Sequence, residues 1–168
     1  MGNLATQTTS QQTTGGVLTN ATLANINTDL ANGSQLLTLN LTLAQLLATN
    51  TAPVTLLPAQ GAGTLIEVLS LTLDLVRGSA AFVGGGAVGA YLGTNSGGVL
   101  VSATIAATNF TTFPSSQIVR AAGAQAVAAS STILNTGLVL ANPTADFTVG
   151  TGATGIIKLI YRVFTGLA

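Results

Sequence analysis

From residue 36 onward, hydrophobic positions recur every second residue in several short runs, and these runs predict strands. Leu36-Leu-Thr-Leu-Asn-Leu-Thr42 alternates in this way. Leu43, Leu46 and Leu47 share a helical face behind Thr42, a capping residue, so Leu43–Ala48 predicts a short helical turn. Val54–Leu57 predicts a strand closed by Pro58, and Gln60–Gly63 a turn. The longest run is Thr64–Arg77. Its odd positions are Leu65, Glu67, Leu69, Leu71, Leu73, Leu75 and Arg77, and its even positions are mixed β-branched and polar. That pattern predicts one long strand with a leucine face on the core; as a helix, its leucines would wrap all round the axis.

Beyond Gly84-Gly-Gly86, which reads as a hairpin tip or bulge, Val88, Ala90 and Leu92 predict a strand, followed by a turn at 94–98. Val99–Ile105, Gln117–Ala122, Ala124–Leu134 and Gly137–Asn142 predict further strands, with one helical turn between Ala106 and Phe113. Residues 150–155 predict a turn. In the last run, Ile157, Leu159, Tyr161 and Val163 point one way, while Lys158, Ile160, Arg162 and Phe164 point the other. The second set marks a solvent or partner face. Short strands with glycine-rich punctuation predict an all-β fold, a single β-sandwich or jelly-roll-like domain over residues 36–168.

Residues 1–35 differ. Thr6–Thr14 is a polar, low-complexity stretch, followed by spaced hydrophobes at Val17, Leu18, Leu23, Ile26 and Leu30. They are too few for a core of their own, and the block lacks the like charges that would keep a tail solvated. It predicts an extended arm lying along a partner, with those five residues as contacts.

Charge changes the picture most. The chain of 168 residues holds 4 Lys+Arg and 4 Asp+Glu, with no His, Cys or Trp. A folded monomer of this mass exposes about 7,600 Å², or roughly one charge per 950 Å². A surface so short of ions self-repels poorly and associates readily. Obligate interfaces are depleted in charge in the same way, so copies of the chain or a larger assembly are expected to cover much of it.

The same composition narrows the chemistry. Without cysteine there is no disulfide framework or thiolate site, and without histidine the commonest base and metal ligand are missing. Net charge near zero gives no footprint for nucleic acid. The uncharged windows Gly78–Gln117 and Ala121–Asn142 are broken by Gly, Ser, Thr and Asn, so no membrane span is expected. Nor does the polar start, Met1–Gln12, read as a secretory signal. Glu67 and Asp74 lie seven residues apart on a predicted strand, on opposite faces and roughly 23 Å apart by strand rise, too far for a paired-carboxylate site. Lys158 on an alternating strand reads as a solvated charge rather than the buried lysine that serine–lysine catalysis needs. The glycine clusters at 61–63 and 84–86 lack the following helix and lysine of a phosphate loop. Neither an enzyme nor any cofactor or metal is expected.

Four segments carry a resemblance. They are the run Val54–Leu69, Gly84-Gly-Gly86, Leu138-Val-Leu-Ala-Asn-Pro-Thr-Ala-Asp-Phe-Thr148 and Lys158-Leu-Ile-Tyr-Arg-Val163. In this order, from about residue 40 to the end, they resemble small structural proteins encoded in the head modules of tailed bacteriophages. This chain has fewer charges on these strands than such proteins tend to carry. The resemblance implies a capsid decoration (cement) protein: all-β, homotrimeric, made in the host bacterial cytoplasm and placed on the virion's outer surface. Its partners would be copies of itself and the major capsid protein, which it would lock together after shell expansion. A phage tail or fibre component and a carbohydrate-binding or adhesin module are the alternatives; the second is weakened by the absence of Trp for a stacking platform.

Overall fold

The computed structural model describes residues 33–94, 97–112, 115–124 and 128–167. Nearly all of the predicted arm, including Val17, Leu18, Leu23, Ile26 and Leu30, lies outside the described residues. From Ser34 onward the chain forms one compact unit.

Its strands are β1 (Gln35–Leu41), β2 (Val54–Leu57), β3 (Leu65–Val76), β4 (Phe82–Gly84), β5 (Gly89–Leu92), β6 (Val99–Leu100), β7 (Gln117–Ala122), β8 (Leu138–Ala141), β9 (Phe147–Val149) and β10 (Thr154–Phe164). Three single-turn helices interrupt them: α1 (Leu43–Leu47), α2 (Thr108–Thr111) and α3 (Ser130–Ile133). The first sheet runs β1-β10-β3-β7, the second β2-β8-β5-β6, and β4 pairs with β9 alone. Every strand pairing is antiparallel. The fold is all-β, and one hydrophobic cluster joins both four-stranded sheets through residues such as Leu71, Leu73 and Ile157 of the first and Ala90, Leu138 and Leu140 of the second.

Local chemistry explains several elements. Thr42 caps α1 with a full capping box: its hydroxyl accepts from the Gln45 amide, and the Gln45 side chain accepts from the Thr42 amide. Leu46 on this turn is buried. β10 holds the predicted alternation, with Ile157 and Leu159 buried and Lys158, Ile160 and Arg162 exposed.

β3 departs from the sequence pattern. Its register against β10 shifts between Ile160 and Tyr161: Ser70 lies opposite Ile160 and Val68 opposite Tyr161, so Leu69 is an extra residue. A bulge of this kind reverses the phase of everything before it. Leu71, Leu73 and Leu75 face the core, but before the bulge Ile66 and Val68 take that role. Leu65, Glu67 and Leu69 therefore leave the leucine face that simple alternation assigns them. The bulge also brings Glu67 and Asp74 onto one face, since their partners Arg162 and Ile156 are six residues apart on an unbulged strand. Strand rise still separates the two carboxylates by roughly 20 Å.

Other differences have local causes. Only Val99–Leu100 of the predicted strand 99–105 joins a ladder. The amide of Ala90 in β5 instead donates to the buried hydroxyl of Ser102 at 2.9 Å. The following stretch then bridges the sheets, with Ile105 bonded to Val88 and Ala103 to Ala122. Within 124–134 the described residues contain the helical turn α3 rather than a strand, as befits a segment rich in Ala and Ser with few β-branched residues. Strands β4 and β9, three residues each, carry no periodic signal long enough to read.

Candidate interaction surface

The outer face of the first sheet is set by cross-strand register. Leu36, Ile160, Ser70 and Ala122 form one row across it. Thr38, Lys158, Thr72 and Arg120 form the next, and Asn40, Ile156, Asp74 and Ile118 the third. Beyond the bulge, Arg162 lies opposite Glu67 and Phe164 opposite Leu65. By register five of the eight charged residues, Glu67, Asp74, Arg120, Lys158 and Arg162, fall on one face, but the Glu67 Oε2 is shut off from solvent, so four of them present charge there. Of the others, Asp29 lies outside the described residues, Arg77 follows β3, and Asp146 ties down a loop.

The same face exposes large aliphatics. Ile118 is 70% exposed, Leu36 65%, Val76 42% and Ile160 38%. Exposed aliphatic groups beside arginine suit a protein interface, where Arg is enriched, whereas Lys, Glu and Asp are depleted there. The charges are anchored locally: the Arg120 Nε donates to Ser70 Oγ at 3.0 Å, and the Arg162 Nε to Ser34 Oγ at 3.3 Å. Lys158, Ile160, Arg162 and Phe164 all lie on this face, with Phe164 half-buried. Sequence alternation on β10 found them; Ile118, Arg120 and Leu36 join them only through pairing.

A second polar cluster sits between α1 and β9. Asp146 Oδ1 accepts from the amides of Asn50 at 2.7 Å and Thr51 at 3.0 Å, and its Oδ2 accepts from the Thr51 hydroxyl at 2.6 Å. The Thr51 hydroxyl foremost, then the two amides, hold the Asp146 carboxyl below the usual carboxylate range against an opposing push from burial. Asn142, fully buried, donates to the Ala145 carbonyl and accepts from the Thr144 amide. Its carbonyl accepts from the Asn50 side chain. These bonds close loops on each other, and the lowered pKa of Asp146 makes it a weak base toward the Thr51 hydroxyl. In the second sheet, burial pushes the Tyr91 phenol above its usual range.

Beside β3, a cavity of about 210 Å³ is lined by Ile66, Glu67, Leu92, Val101 and Ile133. The Glu67 Oε2 is shut off from solvent and has no hydrogen-bond partner among the described residues. A single carboxylate among apolar side chains supplies neither an acid–base pair nor a coordination shell. Among the described residues, no three His, Cys, Asp or Glu gather as a metal site, and no helix is long and apolar enough to cross a membrane. Comparison with protein-family models, curated proteins and solved structures finds no match.

Proposed function

We propose that this chain is a non-enzymatic structural subunit of a tailed-phage virion: a decoration protein that binds the outside of the capsid in association with copies of itself. The observation that carries the reading is the outer face of the first sheet, where four of the exposed large aliphatics, Leu36, Val76, Ile118 and Ile160, are concentrated. Burying those aliphatics against another protein takes them out of water, and Arg120 and Arg162 beside them suit the same interface. The strand orders lend support. Setting aside the β4–β9 pair, the orders β1-β10-β3-β7 and β2-β8-β5-β6 are compatible with the two Greek keys of a jelly roll. That architecture is common in viral shells. The segments that resemble phage head proteins fall on β2–β3, the glycines at the end of β4, β8–β9 and β10.

The major capsid protein is the proposed partner, and the homotrimer implied by the resemblance is the proposed form. Light scattering on the purified chain is expected to give three times 16.6 kDa. Imaging of assembled particles is expected to place its density on the head exterior, and particles carrying it should resist heat better than those without it. A monomer at high concentration, together with particles whose melting ignores the protein, would sink the proposal. Density on the tail would move the chain to the tail or fibre reading.

A further inference from the structure

On the outer face of the first sheet, register fixes the order of the rows. Leu36 and Ile160 stand in one row, Lys158 and Arg120 in the next, and Ile118 in the third. The two cations are thus flanked on both sides by aliphatics that stand in solvent. With β3 between them, their backbones are about 10 Å apart. Arg162 lies farther along β10, about 13 Å from Lys158 by strand rise. Three of the chain's four cations therefore share this face, where they meet the Asp74 carboxylate. Lys158 makes no hydrogen bond or ion pair among the described residues. Arg120 and Arg162 are bonded to serine hydroxyls rather than to carboxylates.

A partner that covers the aliphatics on both sides has to cross the cationic row between them. Lysine is depleted at interfaces, and a desolvated ammonium is costly unless a counter-charge meets it. The row order also separates the kinds of partner. A phosphate backbone answers the cations but leaves the aliphatics in water. A bilayer takes up the aliphatics but draws Lys158 and Arg120 toward hydrocarbon with them. A second copy placed face to face brings three more cations and one more Asp74, so like charges dominate the contact.

We infer that the partner of this face is a different protein whose surface sets carboxylates among apolar groups, at the centre of the contact rather than at its rim. Lys158 and Arg120 each meet a carboxylate there, while Leu36, Ile160 and Ile118 pack against the apolar groups around it. Copies of the chain meet through other surfaces. The inference rests on the capsid reading, whose docking face this is, and names the chemistry expected of the shell.

Two probes tell the inference and the capsid reading apart. One is a capsid stripped of the protein; the other is a monolayer that mixes carboxylate- and methyl-terminated alkyl chains, with an amine- and methyl-terminated monolayer as control. The full chain is expected to bind the capsid and the carboxylate monolayer, each about tenfold more weakly at about 500 mM NaCl than at about 50 mM. Lys158→Glu is expected to weaken both by about thirtyfold while melting as the unaltered chain does, and Ile118→Ser to weaken both by about tenfold. Binding to the monolayer but not to the capsid would overturn the capsid reading and leave the inference standing. Capsid binding indifferent to salt and to Lys158→Glu would overturn the inference and leave the capsid reading standing. Equal binding to the amine and carboxylate monolayers would also overturn the inference. So would tighter binding to duplex DNA or to phosphatidylserine vesicles than to the carboxylate monolayer. Binding to neither capsid nor monolayer would overturn both.

Discussion

The end of the molecule around β4 and β9 and the outer face of the first sheet use side chains in opposite ways. At the β4–β9 end, Phe82, Phe110 and Phe147 pack with ring centroids 4.7 to 6.0 Å apart, and all three are buried. Gly85 and Gly150 have φ near +70° and lie against those rings: a Cβ at Gly85 would come within 2.2 Å of Phe147, and one at Gly150 within 2.5 Å of Phe82. Val149, at φ +66°, holds a left-handed conformation costly for a β-branched residue. On the outer face of the first sheet, by contrast, large side chains stand in solvent and touch little beyond their cross-strand neighbours. One region spends its residues on holding the fold. The other is largely free of that duty.

Mutation should separate them sharply. Phe147→Ala removes the ring that both other phenylalanines touch, and is expected to cost about 4 kcal/mol in denaturant unfolding. Gly85→Ala adds a single carbon yet drives it into Phe147 from a left-handed backbone, so a loss of about 2–3 kcal/mol is expected by the same measurement. If Gly85→Ala proves neutral, the tight packing of this end is wrong.

Asp146 sharpens the contrast through pH. Its folded-state pKa is depressed, so its contribution is complete above the unfolded value of about 3.9 and drains away as pH falls through the folded one. Thermal unfolding followed from pH 7 to pH 2 should show that loss. Asp146→Asn should remove this part of the pH dependence and cost about 1 kcal/mol at neutral pH, since the site is partly open to water. Smallest of all, Lys158→Ala on the outer face should change the stability of the isolated chain by no more than about 0.5 kcal/mol. Its effect is expected in particle binding instead. A large loss of fold stability there would make the face structural and blur the distinction between the regions.

Much of the fold was legible in the chain. The strands at 54–57, 117–122 and 156–164 and the capped turn after Thr42 all lie where their patterns place them, because each has a period longer than its neighbours' noise. The exposed side of β10 was legible for the same reason. The β3 bulge was not: a bulge needs a partner strand to define it, and Leu65, Leu69 and Leu71 look alike in sequence whichever face they take. The Phe82–Phe110–Phe147 cluster was equally hidden, since its members are 28 and 37 residues apart and sit on elements of three or four residues.

Composition and alternation by themselves determined the all-β class, the scarcity of ions and the two sides of β10, because these depend only on residue type and a period of two. Tertiary pairing alone decided that the charges share a face, that Glu67 changes sides and that particular glycines must stay bare against phenylalanine rings. Those features are relations between distant segments, and a register or a van der Waals contact has no value until both partners are in place.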